Sequence, residues 1–312
     1  MISKINCLIV DDMDASITGL LEGIGVKSDY RPDITKEEFL SIIENYEGII
    51  IRSKFFIGKE ILEKATKLRF IGRAGAGLDN LEVEALLSKN IALVNASEGN
   101  RDAVAEQVVG MLLSLLNNVV KADGEVRNNI WDREGNRGYE LMGKTVGILG
   151  YGFMGKATSK RLKSFGCRVL AYDKYKIHYE DENAEACSLT KLQEESDILS
   201  LHIPLTNETK FLVNESFINS FAKPFWFVNS ARGEIVKMEE IVKALQSGKI
   251  RGAALDVLEN EKLKTFTQEQ QQMFDYLKKS NKVILTPHIA GWTFESYRKI
   301  NEVLVEKIKQ IL

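Results

Sequence analysis

A chain of 312 residues with only three histidines has few groups able to exchange a proton near neutral pH, and the three differ in their surroundings. His178 lies in Tyr175-Lys176-Ile177-His178-Tyr179-Glu180-Asp181, a charged stretch that reads as solvated surface. His202 closes a short apolar run ahead of Ile203-Pro204 and reads as a ring packed beside a ligand. His288 follows Thr286-Pro287 and opens the turn Ile289-Ala290-Gly291. A lone histidine there would be structural, but its company points to acid/base work. Glu261 can hold the imidazole in one tautomer and stabilise imidazolium. Arg232, in Asn229-Ser230-Ala231-Arg232-Gly233, can clamp a carboxylate and polarise the neighbouring carbonyl, or else cap backbone carbonyls as a structural residue.

A second constellation is Gly150-Tyr151-Gly152-Phe153-Met154-Gly155, a G-x-G-x-x-G segment between a strand-like run and a helical one. Its glycines have separable tasks: Gly150 for the tight turn, Gly152 for close approach of backbone to a pyrophosphate, Gly155 for close packing of helix on strand. The helix N-terminus supplies unpaired N–H groups to the phosphates. Asp173 ends the next strand twenty-three residues beyond Gly150, near the spacing of roughly 20 expected for a ribose-binding acid. It would repel a 2′-phosphate by about 4 kcal/mol for a unit-charge pair near 4 Å at an effective dielectric of 20. Lys174 follows, with no arginine beside it, so NAD is favoured over NADP. An anion-fixing Arg, a His acid/base and a Glu, set beside a nicotinamide, describe hydride transfer on a 2-hydroxy acid.

These residues need elements to place them. Short apolar runs alternate with helical patterns throughout, the signature of an α/β protein with parallel sheets. Strands are predicted at 5–10, 26–30, 48–51, 70–72 and 91–94, with helices at 36–46 and 80–88, which makes one doubly wound unit. A single long helix is expected over 101–127, with Val104, Val108, Met111, Leu112, Leu115, Leu116 and Val119 on one stripe. The polar stretch 128–143 follows, anchored by Trp131, Tyr139 and Leu141. Six further strands are predicted at 145–149, 168–172, 197–202, 226–229, 252–256 and 282–286, with helices at 156–165, 189–195 and 238–247. Residues 268–272 read as a short polar run. The tail 294–312 reads as a helix with Val303, Ile308 and Ile311 on its apolar side. In such sheets ligands bind at the carboxyl ends of strands, where Gly150–Gly155, Asp173, His202 with Pro204, Asn229–Gly233, Asp256 with Glu261, and Thr286–His288 all fall.

The remaining composition sets bounds. With 42 Lys+Arg against 44 Asp+Glu and a net charge of −2, nothing in the bulk charge draws nucleic acid or an anionic membrane. Three cysteines, Cys7, Cys167 and Cys187, are too few and too scattered for a disulfide framework or a zinc knuckle, and no metal site is expected. The longest apolar run, 108–116, is far shorter than a membrane span, and the first residues carry no leader-like segment. The expectation is a soluble cytoplasmic protein.

The motifs together resemble the NAD-dependent D-isomer-specific 2-hydroxyacid dehydrogenases over essentially the whole chain. The resemblance is carried by Gly72-Arg73-Ala74-Gly75-Ala76-Gly77-Leu78-Asp79-Asn80, the run from Gly143 through Gly152, Val228 through Gly233, Gly252-Ala253-Ala254-Leu255-Asp256-Val257 and Thr286 through Gly291. It implies a Rossmann NAD-binding domain (99–291) inserted into a flavodoxin-like substrate domain (1–98 and 292–312). The active site would lie in the cleft between them, with the long helix after Asn100 contributing to a homodimer. It places the family's catalytic Arg–Glu–His set on Arg232, Glu261 and His288. Cofactor contacts are implied at Gly150, Gly152, Phe153, Met154, Gly155, Asp173, His202, Pro204, Thr209, Ser230, Ala231, Arg232, Asp256, His288 and Gly291. Substrate contacts are implied at Arg52, Ser53, Arg73, Gly75, Ala76, Gly77, Asn100, Arg232 and His288. Ile51-Arg52-Ser53 and Gly72-Arg73-Ala74-Gly75 resemble the branch that takes D-3-phosphoglycerate. That agrees with the chemistry, because a phosphorylated hydroxy acid needs cations beyond the one on its carboxylate; Arg133 is a weaker candidate for the same phosphate, and Arg52 and Arg73 could instead be plain surface arginines. Two departures stand out. The usual proline after the catalytic glutamate is replaced by Lys262, which leaves Glu259 as an alternative to Glu261. The sequence also ends at Leu312, so feedback through a C-terminal regulatory domain is not expected. The rival readings are reduction of glyoxylate or hydroxypyruvate by the same chemistry, and a binding protein that senses NADH.

Overall fold

The computed structural model describes residues 5–312, and the N-terminal reading over residues 1–4 lies outside them. The chain forms two compact units, residues 1–101 with 292–312 and residues 102–291. Each is built on a sheet whose strands are all parallel.

In the first unit the strands β1 (Ile5–Ile9), β2 (Val26–Tyr30), β3 (Gly48–Ile51), β4 (Phe70–Arg73) and β5 (Ala92–Asn95) pair in the order β2-β1-β3-β4-β5. This is the flavodoxin-like order. Helices α1 (Ser16–Gly23), α2 (Lys36–Ile42), α3 (Lys59–Lys64) and α4 (Val83–Ser88) cross between the strands. The pattern predicted at 36–46 is a helix closed by one 3-10 turn, Ile43–Asn45, and α2 opens on a reciprocal Thr35–Glu38 capping box. A core lies on each face of the sheet, one around Phe39, Ile49 and Leu86, the other around Ile9, Ile50 and Leu304.

The second unit carries β6 (Thr145–Leu149), β7 (Arg168–Tyr172), β8 (Glu185–Ala186), β9 (Ile198–Leu201), β10 (Phe225–Asn229), β11 (Ile250–Leu255) and β12 (Val283–Leu285) in the order β12-β11-β10-β9-β6-β7-β8. That is the dinucleotide-binding order with one strand added. The added strand is β12; β8, which the sequence reading lacks, is a two-residue edge pairing to Leu170 and Ala171, too short to leave a hydrophobic period in the sequence. The direction of chain travel reverses between β6 and β9, so the ends of these two strands define the crevice.

Helices α5 (Ser97–Leu116) and α6 (Val119–Arg127) replace the single helix expected over 101–127. They meet at 61°, because Asn118 adopts a left-handed backbone with φ of 53°, a conformation asparagine tolerates better than most residues. The apolar stripe is buried from Val104 through Leu116, but Val119 lies half exposed beyond the break. Among the described residues no single helix is long and apolar enough to cross a membrane. Of the three anchors expected in 128–143, Leu141 is buried, Tyr139 is half exposed with its ring edge against Trp226, and Trp131 is 81% exposed.

The other helices are α7 (Phe153–Ser164), α8 (Leu189–Glu195), α9 (Glu215–Asn219), α10 (Met238–Ser247), α11 (Gln268–Lys279) and α12 (Phe294–Ile311). The run read as merely polar at 268–272 begins α11, which opens on a Thr267–Gln270 capping box; the T-x-x-Q pattern was its signal. Helix α12 lies on the first unit's sheet and buries Ile300, Leu304, Val305 and Ile308, while Ile311 is exposed rather than buried. A side chain at Gly99 would stand 2.7 Å from the Ile300 backbone, and Lys307 binds Glu98 at 2.7 Å and the Asn95 carbonyl at 2.8 Å.

Candidate active site

The crevice of the second unit begins where β6 runs out. Gly150 has φ of +96°, and a Cβ there would lie 2.6 Å from the His202 carbonyl oxygen. A Cβ on Gly155 would lie 2.1 Å from the Gly150 carbonyl oxygen. Turn and packing therefore both exclude a side chain. Gly152 is different: nothing lies within 4 Å of the place its Cβ would occupy, so the backbone there faces open space. Helix α7 starts at Phe153 and Met154 with no side chain capping it, which leaves its first-turn N–H groups to an anion. The residues present fit a dinucleotide diphosphate.

Beside the glycine turn is a cavity of about 380 Å³, lined by Gly150, Gly152, Asp173, His202, Pro204 and Thr209 among others. Asp173 accepts hydrogen bonds from the Tyr151 and Tyr175 amides at 2.9 and 3.1 Å, which fixes its carboxylate at the end of β7. The Thr209 hydroxyl donates to the Pro204 carbonyl at 2.7 Å and ties the loop after β9. His202 Nε2 lies 2.9 Å from the Ser200 hydroxyl. Burial pushes the His202 pKa down to about 4, so the ring is neutral at ordinary pH and adds no charge to the cavity.

At the ends of β10, β11 and β12 the loops are pinned by buried polar groups. Asn229 donates to the Arg232 carbonyl and accepts from the Ala231 amide, both at 3.0 Å, and so holds the turn that carries Ser230, Ala231 and Arg232. The Ser230 hydroxyl is buried with no hydrogen-bond partner, a donor left for a ligand. Gly233 is required by close approach, since a Cβ would fall 1.8 Å from the Leu258 carbonyl oxygen. Asp256, 1% exposed, accepts from the Ile289 and Ala290 amides at 2.9 Å and from the Thr286 hydroxyl, while its own carbonyl accepts from the His288 amide at 2.8 Å. This loop forces His288 to φ of 55°, an unusual backbone for a residue with a Cβ.

His288 Nδ1 stands 3.0 Å from Glu261 Oε2. A carboxylate only accepts, so Nδ1 carries the hydrogen and Nε2 keeps its lone pair. Glu259, the alternative glutamate, accepts from the Met238 amide at 2.9 Å at the start of α10. In place of the missing proline, Asn260 braces the turn by accepting from the Lys262 amide at 2.9 Å and donating to the Thr265 hydroxyl at 3.1 Å. His178 and Arg133 are exposed.

In the first unit Arg52 and Arg73 stand at the ends of neighbouring strands, Arg73 paired in register with Ile51. The Arg52 amide donates to Asp11 at 2.6 Å. Its guanidinium lies 4.3 Å from the Trp292 ring and 4.5 Å from the Tyr297 ring, which meet edge to face, and bonds the Tyr297 hydroxyl. Ser53 is exposed. Arg73 lies over Gly75, whose φ is +136° and whose Cβ would strike the guanidinium at 1.8 Å. Asn95 holds this loop by donating to the Ala76 carbonyl at 3.0 Å, Gly77 continues it half-buried, and Asn100 keeps a buried side-chain oxygen without a partner. Asp11, Trp292 and Tyr297 escaped the sequence reading, because no local pattern joins positions so far apart.

Two consequences are testable. Gly152→Val leaves the fold intact and fills the space before α7, so NADH affinity measured by fluorescence titration should fall about tenfold or more, with little change in Tm. For His202 the folded pKa lies below the ordinary 6.5, so the unfolded chain takes up the proton first. Stability is complete above that range and is lost as pH falls from about 6.5 towards about 4. Urea melts across this window should show the decline, and His202→Asn should flatten it.

The chain matches the family described as D-isomer specific 2-hydroxyacid dehydrogenase, NAD binding domain, over residues 109–290. It is 34% identical to D-3-phosphoglycerate dehydrogenase of Methanocaldococcus jannaschii over 99% of its own length, and spans 57% of that relative. It is likewise 34% identical to hydroxypyruvate reductase of Thermotoga maritima, covering 96% of this chain and 95% of that one. Among solved structures it is similar to D-lactate dehydrogenase from Aquifex aeolicus complexed with NAD and lactic acid, at TM-score 0.82 and 25% identity, covering 97% of this chain and 94% of the other. With its flavodoxin-like and dinucleotide-binding sheets, this chain belongs to the NAD-dependent D-isomer-specific 2-hydroxyacid dehydrogenases.

Proposed function

We propose that this dehydrogenase oxidises D-3-phosphoglycerate to 3-phosphohydroxypyruvate, the first step of L-serine biosynthesis. The observation that carries the reading is the pair of guanidinium groups, Arg52 and Arg73, at adjacent strand ends of the first unit. Two such cations suit a phosphate, and hydrogen bonds between charged groups are among the strongest available. Asn100 and the loop Gly75–Gly77 join them in substrate binding, and residues 1–98 with 292–312 serve as the substrate domain.

In this mechanism Arg232 holds the substrate carboxylate. His288 Nε2 takes the C2 hydroxyl proton, and Glu261 steadies the imidazolium through Nδ1. When bound, NAD supplies the carbon that accepts the C2 hydride. Ser230, Asp173 and the Gly150–Gly155 turn hold that cofactor. A homodimer is supported by the exposed apolar side chains of Val119, Val120, Val126, Ile130 and Trp131. A cytoplasmic setting is supported by three free cysteines, two of them buried.

A second reading, reduction of hydroxypyruvate or glyoxylate, is favoured by the cation–ring contacts of Arg52 with Trp292 and Tyr297, since a guanidinium so engaged has work to do within the fold. Loss of NADH absorbance with 3-phosphohydroxypyruvate, hydroxypyruvate and glyoxylate separates the two. The phosphorylated acid should be preferred in kcat/KM by about tenfold or more, and Arg73→Ala should damage its turnover far more than that of glyoxylate. Preference for an unphosphorylated acid would establish the second reading. His288→Asn should lower kcat by about 10²–10⁴-fold, and Glu261→Gln by less, with NADH still bound. No turnover of any acid alongside NADH binding would leave an NADH-binding protein.

A further inference from the structure

The rim of the cavity between β6 and β9 has an arrangement that the glycine turn does not require. Among its described lining residues Lys174 is the one formal cation, next to Asp173 at the end of β7. Lys174 Nζ donates to Glu208 at 2.6 Å, and the Tyr175 hydroxyl donates to the same carboxylate oxygen at 2.7 Å. Glu208 comes from the opposite wall, on the loop after β9. That loop is fixed by the Thr209 hydroxyl on the Pro204 carbonyl and by the Thr206 amide donating to the Thr209 hydroxyl at 2.8 Å. The Tyr175 amide in turn donates to Asp173, so the two walls are joined through one hydrogen-bonded chain. The rim therefore holds two carboxylates against one ammonium.

We propose that Glu208 is a cofactor-selecting residue. By engaging Lys174 it withdraws the cation that a 2′-phosphate on the adenosine ribose would need, and it adds a second carboxylate to the cavity that Asp173 lines. The pocket then accepts NAD and rejects its 2′-phosphorylated form through two elements far apart in sequence. Lysine is a point charge on a flexible stem, so once Glu208 is neutral the ammonium can swing to a phosphate without rebuilding the turn. The pair is exposed and screened by salt, which makes the effect one of several-fold in affinity.

The test titrates the wild type, Glu208→Gln, Lys174→Ala and the double variant with NADH and NADPH, following nicotinamide fluorescence on binding at low and high salt. In Glu208→Gln the ratio of NADPH Kd to NADH Kd should fall by about three- to tenfold. The gain should vanish in the double variant and shrink at high salt. An unchanged ratio in a Glu208→Gln protein that still binds NADH would overturn the proposal. So would a gain that persists without Lys174, since that would reduce Glu208 to one negative charge among several.

Discussion

The buried carboxylate of Asp256 is the interaction on which the chemical end of the second unit depends. Side-chain and backbone oxygens of this one residue collect Thr286, His288, Ile289 and Ala290, and so bend the chain after β12 back over β11. An ion at 1% exposure is costly to desolvate, by several kcal/mol. Hydrogen bonds to a charged group, worth about 1.5–3 kcal/mol each, offset that cost only when several are made together. The same bonds hold His288 in a left-handed backbone that L-residues avoid by roughly 1–2 kcal/mol. This backbone sets the imidazole where Glu261 reaches its Nδ1, leaving Nε2 with its lone pair.

Geometry and charge divide the labour at the cofactor end. Gly150 and Gly155 are demanded by backbone that passes too close for a side chain, whereas Gly152 borders empty space. Sequence spacing treats these three glycines alike, although close backbone demands two of them and leaves the third open. A neutral His202 beside them adds no charge, and Lys174, the one formal cation among the described lining residues, is engaged by Glu208, so the N–H groups at the start of α7 are what the cavity offers an anion. That arrangement suits a diphosphate held by N–H groups and a ribose held by Asp173.

Arg52 shows how tertiary packing qualifies a residue read as a substrate contact. Its guanidinium is flanked by two aromatic rings from the segment that opens α12. Contact of this kind restricts where the guanidinium points while leaving it donors for other partners. The residue is at once part of how α12 begins and a candidate for substrate binding.

The sequence by itself indicated the parallel α/β class, most strands to within a residue or two and the glycine turn, and it singled out Asp173, Arg232 and His288 as candidates. These are legible because they follow from hydrophobic period, from glycine's freedom in turns and from strand ends converging on one edge, all of which are local or topological. What only the tertiary structure decided depends on side chains meeting across long separations. The break at Asn118 needed its left-handed backbone, and the exposure of Trp131 and Ile311 needed to be seen against their neighbours. The choice of Glu261 rather than Glu259 as the partner of His288 needed the amide of Met238 to claim the other carboxylate. The contacts of Arg52 with Trp292 and Tyr297 and the Lys174–Glu208 pair join segments with no periodic relation, so no pattern along the chain could announce them.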